Sequence, residues 1–318
     1  MFLAVMPEIA GAQHTFTVSA NNLGHRKVIV SRSFGGIMMP LQQTIDFDAD
    51  SLVCYRFGND TPEHVFILVE GNDAKDATES LSLYTADASM LLTVDPKQGL
   101  LEVTGQTATQ SAATKAAEAP YQLFIDYVTG VGDRLGLRDD TVAASAESKL
   151  MHFPDSLATI IDKVPEPVRN ALRQEMALNT LYLWNQLYFG WMNRRADKNT
   201  QEATAWKQAD KNITAWAKLD NEANALSLLF DDIASSQWSK ALTSSRMDSL
   251  RKLGKESIFF ARFDHFARNY TGKNREYLLA NLIYKDTKDA VFTEGVDSLF
   301  SIFRSMYPQS EITPILEE

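Results

Sequence analysis

The chain has a single cysteine in 318 residues, Cys54, so an intramolecular disulfide and a Cys-x-x-Cys redox pair are both excluded. It has no run of about 18 apolar residues after its first segment, which excludes a helical membrane span. It has no surplus of base either: 31 Lys and Arg stand against 41 Asp and Glu, for a net charge of −10. Phosphate binding needs basic side chains gathered on one face. Here the clusters stop at two or three residues (Arg194-Arg195, Arg251-Lys252, His25-Arg26-Lys27), so nucleic acid is not expected as a partner. What is present, 45% hydrophobic and 23% charged residues, is ordinary for a soluble globular chain. A length of this size suggests roughly two domains.

The chain changes character once, between residues 105 and 119. Before that point short β-branched runs alternate with turns. His14 to Ser19, Arg26 to Ser31, Leu41 to Phe47, Leu52 to Phe57, His64 to Val69, Leu81 to Tyr84, Met90 to Val94 and Leu100 to Thr104 read as strands. Their close spacing, with no helical run between them, predicts antiparallel pairing in a sandwich or open barrel. Residues 13–105 are therefore expected to form an antiparallel β-sandwich. The stretch 106–119 is small and polar and reads as a linker.

From Pro120 the apolar period is helical. Residues 120–318 are expected to form an all-α domain, making the whole an α+β chain. Pro165 and Pro167 open a long helix, since proline fits a first turn. In it Leu172, Met176, Leu183 and Leu187 make one stripe, and Leu181, Trp184, Tyr188 and Trp191 a second. Two stripes mean burial against several neighbours. Further segments are marked by Trp206, Ile213 and Trp216, by Leu226 to Ile233, by Met247 to Leu253, by Ile258 to Phe266 and by Tyr277 to Tyr284. A last helix ends before Pro308 with Val296, Leu299, Phe300 and Phe303.

No motif announces chemistry. Gly130-Val131-Gly132-Asp133-Arg134-Leu135-Gly136 has a dinucleotide-loop look, yet with one residue too many and no preceding strand, so it reads as a turn. The five histidines, His14, His25, His64, His152 and His265, have no metal-ligand partner at i+3 or i+4. Asp46, Asp48 and Asp50 lack the glycine and glutamate that would close a calcium loop. Asp139-Asp140 and Asp231-Asp232 are the other carboxylate groups. No Ser-His-Asp signature is present. No catalytic residue, metal or cofactor is assigned. The aromatic set Tyr182, Trp184, Tyr188 and Trp191 reads first as core. Its alternative is a binding surface on which a glycan or peptide stacks.

Residues 1–12 have the form of a signal-peptide remnant. Met1 to Met6 is apolar, and Ala10-Gly11-Ala12 before Gln13 has the small-x-small pattern of a cleavage site. This points to a periplasmic or otherwise exported protein. Together with the strand-rich front, the helical rear and the phrase Met306-Tyr307-Pro308-Gln309-Ser310, it resembles the N-terminal accessory region of TlpA-like envelope thiol-disulfide oxidoreductases. There a DUF4369-like β-sandwich and a helical segment precede a thioredoxin domain. The resemblance implies a non-catalytic cell-envelope module that binds a protein or thioredoxin-domain partner. It carries over no catalytic residue. The alternatives are an envelope glycan- or peptide-binding protein, and a hydrolase whose site is assembled from distant residues. The oligomeric state is left open.

Overall fold

The structure is a computed structural model. It describes residues 107–138, 141–166, 168–194, 201–288 and 295–317. Before residue 107 it describes nine strand segments with residues 62, 63 and 85, and the side chains there at 62–66 and 82–85. The proposed signal remnant and the carboxylates Asp48, Asp50, Asp139 and Asp140 lie outside the described residues, as do the side chains of Asp46 and Cys54.

The expected α+β class with an N-terminal β-sandwich is overturned. Of the chain that can be read with its side chains, 76% is helix and its one sheet has two strands, so the class is predominantly α. The strands are β1 His14–Ala20, β2 Lys27–Phe34, β3 Ile37–Pro40, β4 Ile45–Asp46, β5 Leu52–Phe57, β6 His64–Glu70, β7 Glu79–Tyr84, β8 Ser89–Asp95 and β9 Glu102–Thr104. The run-and-turn pattern thus located strand segments, and the pairings of β2 with β4 and β6, of β6 with β7 and of β8 with β9 are antiparallel as expected. β1 runs antiparallel to β5 and parallel to β8, which a chain of hairpins does not produce. β6 pairs antiparallel with β2 and with β7, and side chains can be followed on the β6–β7 ladder, with Val65 opposite Leu83 and His64 opposite Tyr84. Side chains alternate across it. Val65 and Leu83 are buried together on one face, while the His64 ring packs on Phe66 and Tyr84 on the other.

The helices are α1 Ala108–Thr129, α2 Ala143–Met151, α3 Phe153–Ser156, α4 Ala158–Ile161, α5 Val168–Arg194, α6 Gln201–Trp216, α7 Phe230–Ala241, α8 Ser244–Leu253, α9 Lys255–Asn269, α10 Gly272–Lys288, α11 Val296–Met306 and α12 Thr313–Glu317. A 3-10 turn covers Glu222–Leu226. None of the described helices is long and apolar enough to cross a membrane.

The stretch expected as a linker is helix. Thr107-Ala108-Thr109-Gln110 has the Thr-x-x-Gln form of a capping box, and the Thr107 hydroxyl accepts from the Gln110 N–H at 3.0 Å. Alanine is the strongest helix former. Ala112, Ala113, Ala116 and Ala117 are buried, so the segment holds more core than its polarity suggested. The helix then runs through Pro120 instead of starting there.

The chain divides into two compact units, residues 1–32, 40–116 and 159–172, and residues 33–39, 117–158 and 173–318. In the first unit Glu63 and Thr85 clasp each other. The Thr85 N–H donates to the Glu63 carbonyl at 2.8 Å, and the Glu63 N–H donates to the Thr85 hydroxyl at 2.9 Å. The Tyr84 N–H donates to the Thr114 hydroxyl at 3.1 Å, and the Gln110 amide donates to the Tyr84 carbonyl, which fixes α1 to the ladder.

The second unit is built around α5, with Leu178, Leu181, Leu183, Trp184, Leu187 and Trp191 packed with Trp206, Ala209 and Ile213 of α6 and Ala143, Ala146 and Leu150 of α2. Trp206 lies between two other indoles. Its ring centroid is 5.1 Å from that of Trp184 and 5.2 Å from that of Trp191, and the planes lie 21° and 19° apart. Past α6, Lys218 takes a left-handed backbone at φ 49°, a conformation that costs a non-glycine residue about 1 kcal/mol or more. Amides hold it there. Gln174 donates to the Ala217 carbonyl, Asn224 to Lys218, and Asn274 to Leu219 and Asn221. Gly272 needs its own freedom, with φ at +54° and the Glu222 side chain filling the space a Cβ would take.

The stacked indoles give the first test. Trp206 is 2% exposed, and truncating a buried tryptophan costs about 3–5 kcal/mol. Urea unfolding of Trp206→Ala is expected to show that loss, with Gln208→Ala on the exposed side of the same helix staying within about 0.5 kcal/mol of the parent.

Candidate functional site

Charged and polar side chains enter the interior of the helical unit at two places. The first joins α5, α6 and α7. Lys240 donates to Asn185 Oδ1 at 2.7 Å and makes an ion pair with Asp210. The Trp184 indole N–H donates to the same Asp210 oxygen at 2.9 Å. The ammonium also sits over the Tyr188 ring, 5.0 Å from its centroid, where the ring quadrupole attracts a cation. Lys240 and Asp210 have side chains 10% and 16% exposed. Burial pushes the Lys240 ammonium below its usual range, and the Asp210 charge and hydrogen bond pull it back up. Burial, then Asp210, raise the Tyr188 hydroxyl.

The second place joins α7, α9 and α10. Asp231 is 2% exposed. It makes an ion pair with Lys285 and lies 3.5 Å from the Arg262 guanidinium. Arg262 also donates to the Ser235 hydroxyl and lies over the Phe266 ring. Asp232, at the solvent edge of the same turn, is raised by burial of its carboxyl and by the adjacent Asp231, with Lys285 and Arg262 opposing. Burial and then Asp231 raise the Tyr270 hydroxyl strongly. Burial, Asp232 and Tyr121 raise Tyr182. Glu175 on α5 adds a smaller buried group, bonded to Asn179 at 3.0 Å and to Ser227 at 3.2 Å.

The four aromatic residues named from sequence do come together on α5, but inward. Trp184, Tyr188 and Trp191 are buried, and Tyr182 is half-buried with its ring 5.1 Å from Phe124. A flat ligand meets no open ring face among the three buried residues. The reason is the second apolar stripe of α5, which the tryptophans of α6 cover.

The glycine-rich motif closes a turn after α1. Gly130 and Gly136 have φ of 77° and 65°, and Asp133 accepts from the N–H groups of Leu135 and Arg138. Among the histidines, His64 faces Ser82 at 3.4 Å, and His152 pairs with Asp155 at 3.2 Å on the surface. Burial lowers His265. Among the described residues no three His, Cys, Asp or Glu side chains gather as metal ligands. Sequence reading singled out Asp231-Asp232 but not Lys240, Asp210, Asn185, Arg262 or Lys285. Those residues sit on helices rich in other charged and polar residues, such as Gln201–Trp216 and Gly272–Lys288, so nothing local set them apart.

Comparison with known proteins finds no matching family model, no matching curated protein and no matching solved structure.

Two tests follow from these groups. Lys240→Met leaves the Asp210 carboxylate largely buried and unpaired, and is expected to cost about 3 kcal/mol in urea unfolding. The double change Lys240→Met with Asp210→Leu is expected to recover most of that. The second test is alkaline. A tyrosine raised in the folded state contributes stability that is complete below its unfolded pKa, about 10, and is lost as pH rises past it. The parent is expected to lose stability between about pH 10 and pH 12, and Tyr270→Phe to lose less over the same range. Lys240 acts in the opposite sense, because its folded state releases the proton first. Parallel curves for parent and Tyr270→Phe count against the burial of that hydroxyl.

Proposed function

We propose that the chain is a non-catalytic cell-envelope module that presents its helical surface to a protein client. One observation carries this reading: each buried ionisable group of the helical unit bridges neighbouring elements. Lys240 ties α7 to α5 and α6, Asp231 ties α7 to α9 and α10, and Glu175 ties α5 to the turn at Ser227. A catalyst turns at least one such group toward its substrate. The apolar first residues with Ala10-Gly11-Ala12 support export. What remains of the resemblance once the sandwich is set aside, the helical rear and the phrase Met306-Tyr307-Pro308-Gln309-Ser310, supports a thioredoxin-type domain as the partner.

A hydrolase is the second reading, and Asp232 is what favours it. Its carboxyl is raised and sits at the solvent edge, as a general acid requires.

The two readings separate in one set of measurements. A photo-crosslinking residue is placed, one position at a time, at exposed sites of the helical unit in the exported full-length chain. A discrete protein adduct from neighbouring positions, unchanged in Asp232→Asn, is the expected result. No adduct anywhere overturns the client reading, as does hydrolysis of a chromogenic ester, glycoside or peptide that Asp232→Asn abolishes.

A further inference from the structure

Asp-Ser steps occur four times in the chain, and each is followed by leucine: Asp50-Ser51-Leu52, Asp155-Ser156-Leu157, Asp248-Ser249-Leu250 and Asp297-Ser298-Leu299. Leucine is roughly one residue in ten here, so composition alone does not produce four out of four. The side chains of the first triad lie outside the described residues. The other three fall at separate elements, α3, α8 and α11.

All three present the same arrangement. Asp and Ser are exposed, and the leucine turns inward, buried at Leu250 and Leu299 and half-buried at Leu157. At about 100° per residue, an inward leucine leaves the aspartate on the far side of the helix, with the serine between them. Helix termini account for part of this. Asp155 and Asp297 stand in first helical turns, where an acid is favoured. They do not account for α8, where Asp248-Ser249 lies in the middle of the helix and both residues are poor helix formers. There the Ser249 hydroxyl falls back on the Ser245 carbonyl at 2.9 Å. Ser156 donates likewise to the Phe153 carbonyl at 2.6 Å. A hydroxyl that donates keeps its oxygen lone pairs free for attack. The Ser298 hydroxyl has no partner among the described residues.

A hydroxyl repeated in one three-residue context, outside the fold and directly behind a carboxylate, is a pattern that a modifying enzyme reads. We propose that Ser156, Ser249 and Ser298 are acceptors of O-linked glycosylation, recognised through the Asp-Ser-Leu triad. The donor is a sugar carried on an isoprenoid diphosphate. The serine oxygen attacks the anomeric carbon, the bond from sugar to phosphate breaks, and the diphosphate leaves with its electron pair. The hydroxyl proton passes to a base of the transferase. Because the leucine is covered once the chain folds, the triad is read as the chain emerges. The choice of a sugar rests on the export part of the proposed function: nucleoside triphosphates, which supply phosphate to serine, stay in the cytoplasm, whereas lipid-linked sugars are presented across the membrane. An attached glycan is bulky and solvated, which suits three hydroxyls that face water.

The test is peptide mass spectrometry on the full-length chain purified from the cell that makes it, before and after β-elimination in mild alkali. The peptides with Ser156, Ser249 and Ser298 are expected to carry sugar mass increments that the alkali removes. Ser245 and Ser305, exposed but not preceded by aspartate, are expected to stay bare. Ser298→Ala and Asp297→Ala are each expected to strip that site alone, and Ser298→Thr to keep it. Bare serines at all three sites of an exported chain overturn the proposal, and so does phosphate there. Sugar that survives Asp297→Ala, or that covers Ser245 and Ser305 as well, overturns recognition by the triad. Fractionation of the same cells keeps the two readings apart. A chain found in the cytoplasm removes export and this proposal together, and an exported chain with bare serines removes this proposal alone.

Discussion

A helix buried on several sides has to find partners inside the protein for the polar groups it carries, and α5 imposes that condition on the helical unit, meeting it for most of them but not for Asn185 Nδ2 or Trp191 Nε1. Its part from Arg173 to Arg194 lies inside that unit, with Asn179, Thr180 and Asn185 buried among leucines and tryptophans. An unpaired polar group there costs about 1–3 kcal/mol. The helix answers partly by bonding to itself: Thr180 donates to the Met176 carbonyl, and Asn179 to the Glu175 carbonyl and carboxylate. The rest has to come from neighbours. Asn185 takes Lys240 from α7, Glu175 takes Ser227, and Gln174 reaches the loop after α6. The positions of α6, α7 and that loop are therefore bound to the polar residues of α5 as much as to its apolar ones.

This bears on what the buried charges are for. A buried ion pair is weak evidence of stability, because desolvation offsets most of the attraction. A stack of leucines tolerates sliding by a turn; a lysine that must meet one asparagine and one aspartate does not. Lys240 with Asp210, and Asp231 with Arg262 and Lys285, each join side chains of different helices. The bonding is not complete: Asp231 Oδ1, Arg262 Nε and Asn185 Nδ2 are buried without a hydrogen-bond partner.

Helix positions were legible in the sequence where the apolar period was long. The stripes of α5, the tryptophans of α6 and the Leu299–Phe303 face of α11 all lie where the period places them. Residues 107–119 were misread, since a run of alanine and threonine looks like a linker when polarity alone is judged. The capping pattern at Thr107 and Gln110 was the better signal, because it reports backbone satisfaction and not burial. The sandwich was misread for another reason. Period-two runs show that a segment is extended, but pairing is decided by residues far apart in sequence, and the parallel neighbours β1 and β8 are separated by most of the strand-bearing region. The aromatic set Tyr182, Trp184, Tyr188 and Trp191 was correctly grouped on one helix. Its inward facing was written in the second stripe, Leu181, Trp184, Tyr188 and Trp191, which leaves α5 no wide polar side.

The same reasoning sharpens the contrast within α1. Before Pro120 its buried positions are Gln110 and alanines, and alanines pack closely and lose no side-chain entropy on ordering. After Pro120 the large side chains appear, and Leu123 goes inward while Tyr121 and Val128 remain outside. A helix needing only to be held down has that done by Leu123 and the half-buried Phe124. Tyr121 and Val128 add exposed apolar surface on the side where nothing in the unit's own interior requires it. Burial within the unit explains the first half of α1 and the inward edge of the second. On its outward edge Tyr121 and Val128 stay half or more exposed.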